Sequence, residues 1–426
     1  MLDLLRRRQS HAAPRNAPLV LERRPRGDVA DWYDSRSWFG GLPRLGDREW
    51  PMGPAPFRGG SPMHFVAQFD LAAVARLRPG NGLPERGSLA VFLGLPMFEA
   101  GWNDEFHVTL LHVEEEVAEV TPLPPYIRPV FGQEWRYHLP WAQADDVPPA
   151  TFPYWPIDIV DPGRDRSDPL LIPKAYSEAR GTRGSSLRAN GDRERLMIEP
   201  NVPCNWRAVR LYSELLTTRL QSALGSCKHD RYSRFVAGDP HHKNWKDHLA
   251  QAHEYGHPET GFPPIIAEMF ETTVGRDPWA ALTGSDLEWF APLVMRAKQL
   301  LELGSVSRDE CWLLADANLH VIHGMAVAPP EVFARLPRSI RAMVSEEKLQ
   351  PHGHHHMFGL GWDEKIDLDE HGDDAKRGAE ELILHLAFDE IIAFGWGDLN
   401  SLSVWMPREA IRERAWDAAR ITMEGL

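Results

Sequence analysis

The fold of this chain is decided by two distant stretches, WFGGLP at residues 38–43 and ELILHLAFD at residues 381–389. Every second residue from Leu382 to Phe388 is apolar, which is typical of a strand that buries one face. In the first stretch two glycines come shortly before a proline, a combination that is typical of a tight turn. Both parts of the chain therefore predict β-structure.

Further runs with strand periodicity lie in both outer parts of the chain. These runs are His64–Asp70, Ser88–Leu93, Phe106–Val113, Leu402–Met406 and Ala418–Met423. Pro407 has a fixed φ that suits the first turn of a helix, so a short helix is expected directly after the fourth run.

The middle of the chain changes period. Apolar residues recur at helical spacing in Ala208–Leu224, Asp286–Leu303 and Val332–Glu347, and Ser285 predicts the N-cap of the second helix. Two short runs among these helices, Cys311–Leu314 and Leu319–His323, predict strands.

Strands, then helices, then strands predict an α+β fold. Its mostly antiparallel β core is expected to be built from the N- and C-terminal segments, with a central helical insertion. The predicted divisions are an N-terminal arm at 1–35 with a leader helix, a β part at 36–140, a Pro-rich connection at 141–204, a mainly helical insertion at 205–350 and a second β part at 351–426.

Composition restricts the partners of this chain. It has 426 residues, of which 43% are hydrophobic, and a formal net charge of −14. A non-specific nucleic-acid binder needs Lys and Arg to displace counterions, so the acidic balance argues against that class and favours a partner with a basic surface. Arg6, Arg7 and Arg8 precede no apolar segment, and no apolar run has membrane-spanning length, so a cytoplasmic protein without a membrane partner is expected.

Several spaced motifs accompany WFGGLP. They are WP at 50–51, AQ at 67–68, LPERG at 83–87 and WGD at 396–398. Together they resemble the YwqG-like family, a bacterial domain whose biochemical role is not established. The resemblance covers 36–115 and 355–424, and it implies a structural family motif made of Gly40, Gly41, Pro43, Gln68, Trp396, Gly397 and Asp398.

Two polar members of this motif need hydrogen-bond partners. Gln68 lies in an apolar strand, where an unsatisfied amide would cost a few kcal/mol. Asp398 follows a Trp-Gly pair and can accept backbone N–H bonds in an Asx-type turn. A structural role is therefore expected for both residues.

Residues 253–257, His-Glu-Tyr-Gly-His, match the zinc-protease motif H-E-x-x-H. In that chemistry His253 and His257 would bind zinc and Glu254 would act as general base. Pro258 disfavours a helical conformation at His257, however, so the match is interpreted mainly as accidental. Zinc is the alternative to an expectation of no cofactor.

A second histidine cluster contains His352, His354, His355 and His356. Histidine-rich tracts bind metals when further ligands converge on them. Convergence of this cluster with the histidines at 241–257 would favour an enzyme. Otherwise His355 or His356 is expected to belong to the fold, as the family resemblance implies.

An acidic loop follows at residues 363–374. Its EF-hand-like start is not completed, because Gly378 stands where the bidentate Glu is needed. The loop is either a solvated surface or a docking surface for a basic partner. The candidate binding residues are Asp363, Glu364, Asp367, Asp369, Glu370, Asp373 and Asp374.

Three functional hypotheses follow. The favoured one is a non-enzymatic protein-binding module. The family resemblance implies a more particular form, an immunity-like protein that neutralises a basic bacterial toxin, because family members resemble partners in toxin–immunity neighbourhoods. The alternative is a metal-dependent hydrolase that uses His253, Glu254 and His257. A sugar- or peptide-binding module with exposed Trp side chains is a third hypothesis, although Trp38, Trp50 and Trp396 are expected to be core anchors.

Overall fold

The computed structural model forms two compact units. The residues described are 16–26, 31–53, 60–94, 107–130, 150–165, 168–180, 202–217, 219, 264–303, 313–328, 330–335, 338, 341, 353–361, 380–389, 391–395 and 401–424. The first unit combines 1–138, 144–187 and 342–426, and the second combines 139–143 with 188–341. No helix among the described residues is long and apolar enough to cross a membrane.

The first unit is built on one large antiparallel sheet. Its strands, in chain order, are β1 (Leu19–Arg23), β2 (Trp38–Phe39), β5 (His64–Asp70), β6 (Ser88–Gly94), β7 (His107–Val113), β8 (Trp155–Val160), β9 (His356–Met357), β10 (Glu380–Leu386), β11 (Ser401–Pro407) and β12 (Arg420–Glu424). Strands β3 (Met52–Gly53) and β4 (Ser61–Pro62) form a separate pair. The order in the large sheet is β12-β11-β10-β9-β1-β8-β2-β5-β6-β7, so the predicted antiparallel β core from two distant parts of the chain is confirmed.

Two short strands join the N- and C-terminal parts of this sheet. Strand β1 pairs with β9 on one side, where Val20 lies opposite His356, and with β8 on the other. Strand β8 pairs through its first residues with β2 and through its later residues with β1. The sheet is nearly barrel-shaped, because Cα atoms of its two edge strands, β7 and β12, come within 8 Å of each other.

Aromatic side chains fill the inside of this sheet. The ring of Phe39 on β2 lies 5.4 Å from that of Phe394, and the Phe394 ring lies 5.2 Å from Phe152. Trp38 is buried in a neighbouring cluster, against which Trp50 packs. The prediction that Trp38 and Trp50 are core anchors is confirmed, and the described residues show no exposed Trp that would favour a sugar site.

Two strands lie where the sequence analysis expected an arm and a connection. Strand β1 falls in the arm at 1–35, and β8 falls in the Pro-rich stretch at 141–204. Strand β1 has three consecutive buried residues and therefore no alternation, and β8 contains Pro156, a residue that normally argues against a strand. Only the pairing with distant strands identifies these segments.

Three short helices accompany the strands in the described part of the first unit, and one of them, Lys174–Arg180, follows β8. Asp70 accepts the backbone N–H of Ala72 and caps the helix Leu71–Leu77. After β11 comes the helix Arg408–Glu413, for which Pro407 is the N-cap residue, so the predicted helix is confirmed. Its C-cap, Arg414, has a left-handed backbone, and a short 3-10 helix follows at Trp416–Ala418.

The described residues of the second unit are helices and turns. Its helices span residues 206–217, Pro264–Thr273, Gly284–Leu303, Leu313–Val327 and Pro330–Phe333. The two strands expected near Cys311 and His323 are wrong, because a single helix runs through Leu313–Val327. This helix buries apolar residues on several sides, so its run of apolar residues has no helical period.

One N-cap differs from the sequence prediction. The hydroxyl of Thr283 accepts the backbone N–H of Asp286 at 3.3 Å, and the Asp286 carboxylate accepts the backbone N–H of Thr283 at 2.8 Å. This reciprocal pair makes a capping box. Thr283 therefore caps the helix Gly284–Leu303, in place of the expected Ser285.

Candidate functional site

The turn at Gly40 and Gly41 allows close packing against the chain before β8. Gly40 has φ +58°, and a Cβ there would lie 2.1 Å from the carbonyl oxygen of Pro153. Gly41 has φ +66°, and its Cβ would meet the ring of Tyr154 at 2.9 Å. Residues that carry a side chain rarely adopt these φ values. The turn therefore requires glycine at both positions. Pro43 continues the turn, and its carbonyl oxygen accepts the backbone N–H of Thr121.

Gln68 is buried on β5 and fixes the same turn. Its Oε1 accepts the backbone N–H of Arg44 at 2.9 Å, and its Nε2 donates to the carbonyl oxygen of Arg44 at 3.1 Å. The same Nε2 donates to the hydroxyl of Ser88 at 2.7 Å. The buried amide is thus satisfied by main chain and by β6, which is the structural role that its apolar surroundings require.

An ionic cluster with buried side chains joins β1 to the turn after β10. The carboxylate oxygen Oδ2 of Asp389 lies 3.0 Å from Nε of Arg23 and 3.1 Å from Nε2 of His355. Its other oxygen accepts the backbone N–H of Ile391, and Asp389 exchanges two backbone hydrogen bonds with Phe394. The turn therefore aims this carboxylate at the sheet.

The protonation of this cluster follows from its hydrogen bonds. The backbone N–H of Ala387 donates to Nδ1 of His355 at 3.1 Å, so the neutral ring carries its proton on Nε2 and donates it to Asp389. Burial lowers the pKa of His355, opposed by Asp389 and reinforced by Arg23. Burial by itself would raise the pKa of Asp389, but the charge of Arg23 and the hydrogen bonds from His355 and Ile391 lower it overall.

This His–Asp pair resembles a catalytic arrangement but cannot work as one. A general base needs a ring nitrogen within reach of a substrate proton. Both nitrogens of His355 are already engaged by Ala387 and Asp389, and its side chain is fully buried. The cluster therefore holds the N- and C-terminal parts of the sheet together. Sequence reasoning missed Arg23 and Asp389, although an acidic residue that ends an apolar strand run was a usable signal.

The neighbouring histidines also contact protein groups. The ring nitrogens of His356 face the carbonyl oxygens of His354 and Leu360 at 3.0 and 3.1 Å. His354 meets the hydroxyl of Ser177 at 3.0 Å, and the ring of His385 lies 4.6 Å from that of His356. Within the described ranges no three His, Cys, Asp or Glu side chains are grouped so as to hold a metal ion.

Many sequence-predicted site residues lie outside the described residues. These are His253, Glu254 and His257 of the zinc-protease motif, His352, the seven acidic residues from Asp363 to Asp374, and the Trp396-Gly397-Asp398 turn. Two expectations therefore stay predictions. One is the convergence of the two histidine clusters, and the other is the proximity of Gln68 to Trp396.

The strongest candidate interface is a segment that sequence reasoning passed over. It spans residues 114–129, directly after β7, and we call it the Glu-Pro segment. It contains exposed glutamates at Glu114, Glu115, Glu116 and Glu119, followed by four prolines. Three of the eight large apolar side chains that are exposed among the described residues lie here, Val120 (54%), Leu123 (39%) and Tyr126 (94%).

The Glu-Pro segment is fixed to the protein at several points. Val117 packs against the core cluster that contains Leu45. The hydroxyl of Thr121 accepts the backbone N–H of Leu45 at 3.0 Å. Farther along, Nε2 of the buried His64 meets the carbonyl oxygen of Arg128 at 2.9 Å. Burial lowers the pKa of His64, so the neutral ring donates from Nε2 to this carbonyl.

A tight turn presents Tyr126 between these attachment points. The backbone N–H of Ile127 lies 3.5 Å from the carbonyl oxygen of Pro124, and Tyr126 has φ +69°. Pro125 at the second position and a positive φ at the third define a type II turn, in which glycine is usual at the position of Tyr126. An exposed aromatic ring thus occupies a position whose backbone disfavours it.

The chain matches the model of one protein family. The model of the family described as "Domain of unknown function (DUF1963)" matches residues 37–282, and the chain belongs to that family. The match includes residues 205–282, which the sequence analysis assigned to an insertion. No curated protein matches the chain.

Proposed function

We propose that this chain is a non-enzymatic protein-binding module whose partner carries a basic surface. The observation that carries the proposal is the Glu-Pro segment, where apolar side chains and carboxylates are exposed on backbone attached to the core. A surface that exposes aromatic and aliphatic side chains beside charges is typical of an interaction site.

Charge supports the same proposal. The chain has a formal net charge of −14, and complementary potentials accelerate the encounter with a basic partner. Two of the glutamates already have exposed ion pairs, Glu116 with Arg36 at 2.6 Å and Glu114 with Arg48 at 3.7 Å. Exposed pairs of this kind contribute less than about 1 kcal/mol, so a partner can replace them.

The particular form proposed is an immunity-like role, in which the chain covers and neutralises a basic bacterial toxin. In this form the protein is a member of the YwqG-like family that is located in the cytoplasm. Residues 205–350 are inserted into its β part. The acidic residues from Asp363 to Asp374 would extend the negative surface.

Affinity purification of the full chain from its native host tests the proposal. We expect a basic protein to co-purify in stoichiometric amount and to dissociate in high salt. Reversal of Glu114, Glu115, Glu116 and Glu119 to Lys should abolish recovery. The matched control reverses four other exposed glutamates, Glu85, Glu271, Glu409 and Glu413, and should retain the partner. A chain that always elutes alone refutes the proposal.

The alternative, a metal-dependent hydrolase, is supported by the literal H-E-x-x-H match at residues 253–257. In that reading His253 and His257 bind zinc and Glu254 activates water. Elemental analysis distinguishes the two functions. Stoichiometric zinc that is lost in His253→Ala would favour the enzyme, and absence of zinc after purification with added zinc would exclude it.

A further inference from the structure

We propose that Tyr126 is the anchor residue of the partner interface, seated in an apolar pocket of the partner that has Lys or Arg beside it. This inference deepens the proposed function and rests on it. Large aromatic side chains that fill a pocket dominate the energy of many interfaces, and Tyr is enriched among them. Tyr126 is the most exposed large apolar side chain among the described residues, at 94%.

The backbone around Tyr126 is already ordered for binding. Thr121 on one side is held by Pro43 and Leu45, and Arg128 on the other side is held by the buried His64. The turn at Pro124 then fixes the chain direction between these points. A partner that binds an ordered segment does not have to pay the full entropy of ordering it.

The charges around the apolar residues define the rim of the partner's pocket. Glu115 and Glu119 are exposed and show no ion pair within the described part of the chain. Asp47 is a further exposed acid beside the segment, because the preceding residue, Gly46, packs against Val117. Arg128 at the far end is the basic residue of the segment itself. The excess of carboxylates before the Tyr126 turn complements Lys or Arg on the partner.

A second copy of this chain is a poor occupant of the same surface. In a two-fold symmetric dimer the same patch meets itself, so Glu115 and Glu119 would face the carboxylates of the other copy. Like charges in such an arrangement are unfavourable. The occupant is therefore a different protein with a basic surface.

Photo-crosslinking in the native host tests the inference with the full chain. Position 126 carries p-benzoylphenylalanine in one sample, and position 274 carries it in the control, because Val274 is 73% exposed in the second unit. We expect position 126, and not position 274, to crosslink a basic protein. That protein is then purified. Its affinity for unlabelled variants is measured by calorimetry, and its association rate with them is measured by stopped flow.

The measurements on these variants decide whether Tyr126 contributes to binding. Tyr126→Ala should weaken binding at least about 30-fold, the loss that is typical of an interface hot spot. Glu115→Lys with Glu119→Lys should slow association about tenfold at low salt. The matched pair Glu85→Lys with Glu409→Lys should change neither quantity. Circular dichroism of each variant verifies the fold.

The outcomes separate this inference from the proposed function. A basic partner that binds Tyr126→Ala as tightly as the natural chain overturns the anchor and leaves the protein-binding function standing. Capture of a second copy through position 126 also overturns the inference. Absence of any partner in affinity purification and in crosslinking overturns both.

Discussion

Two regions of this protein place polar and apolar groups in opposite ways. The buried cluster of Arg23, His355 and Asp389 puts charges inside the sheet and pairs them with each other and with main chain. The Glu-Pro segment puts Tyr126 in solvent on a backbone that is fixed at both ends. The buried cluster has the side chains of a catalytic site but no access for a substrate, whereas the exposed segment has no catalytic groups but is open to solvent. Accessibility therefore decides which of the two regions can meet a partner.

The largest expected effect breaks the buried cluster. Asp389→Ala removes the carboxylate that faces both Arg23 and His355, and it leaves a buried guanidinium without this counter-charge. We expect the free energy of unfolding in urea to fall by about 3–5 kcal/mol. The matched control is Asp158→Ala, which removes the exposed ion pair with Arg24 and should cost less than about 1 kcal/mol. Equal losses in the two variants would show that the buried pairing is unimportant.

A smaller loss is expected at Gln68. Gln68→Ala leaves the main-chain groups of Arg44 and the hydroxyl of Ser88 without the buried partner that they share. We expect a loss of about 2–3 kcal/mol, the cost of leaving buried polar groups unpaired. Gln68→Glu places a buried carboxylate oxygen against the carbonyl oxygen of Arg44, so it should cost at least as much as Gln68→Ala. An unfolding midpoint unchanged in Gln68→Ala would contradict the role given to this amide.

The pH dependence of stability tests both regions, because each involves a buried histidine. His355 belongs to the buried cluster, and His64 holds the Glu-Pro segment. Burial lowers the pKa of both His64 and His355, so the unfolded state binds protons that the folded state refuses. Their contribution is complete above the ordinary histidine pKa of about 6.5 and falls as pH decreases below it, by up to about 1.4 kcal/mol per pH unit for each ring.

Urea unfolding between pH 7.5 and 5 measures this slope. His64→Gln retains a donor that can reach the carbonyl oxygen of Arg128 but removes the titrating ring, so its slope should be shallower than that of the natural chain. Stability that is constant or rises toward pH 5 would show that neither ring is held neutral.

The smallest effect concerns the turn at Tyr126, and it has the opposite sign. Tyr126→Gly relieves the left-handed backbone at φ +69° and should raise the free energy of unfolding by roughly 0.5–1 kcal/mol, because the relief exceeds the entropy added to the unfolded chain. Tyr126→Ala keeps the strained backbone and should leave stability almost unchanged. Both variants lose the ring, so weakened binding in both with stabilisation only in the glycine variant would separate strain from recognition.

The predictable part of the fold is its regular part. The run His64–Asp70 was predicted with the bounds that β5 has, because it is long and apolar and ends in an Asp that caps the next helix. Strand β1 was missed, since its five residues between prolines carry no alternation. Leu313–Val327 was read partly as strands, because burial on several sides hides the helical period.

The candidate sites show the same division. Sequence patterns drew attention to clustered histidines and acids, and many of these lie outside the described residues. The Glu-Pro segment has no recognised motif, and its interest depends on exposure and on contacts with Pro43, Leu45 and His64. Solvent exposure of an apolar side chain is a property of the folded surface, so no local pattern predicts it.

The sequence by itself determined the strand-rich outer parts, the Gly-Gly turn, the need to satisfy Gln68 and the acidic balance, because these depend on local periodicity, on backbone sterics and on charge. Only the tertiary structure decided that β1 joins the two parts of the sheet, that Asp389 meets Arg23 and His355, and that Tyr126 remains in solvent. The physical reason is that strand pairing, burial and exposure depend on contacts between residues far apart in the chain. Local sequence patterns do not predict which distant residues make those contacts.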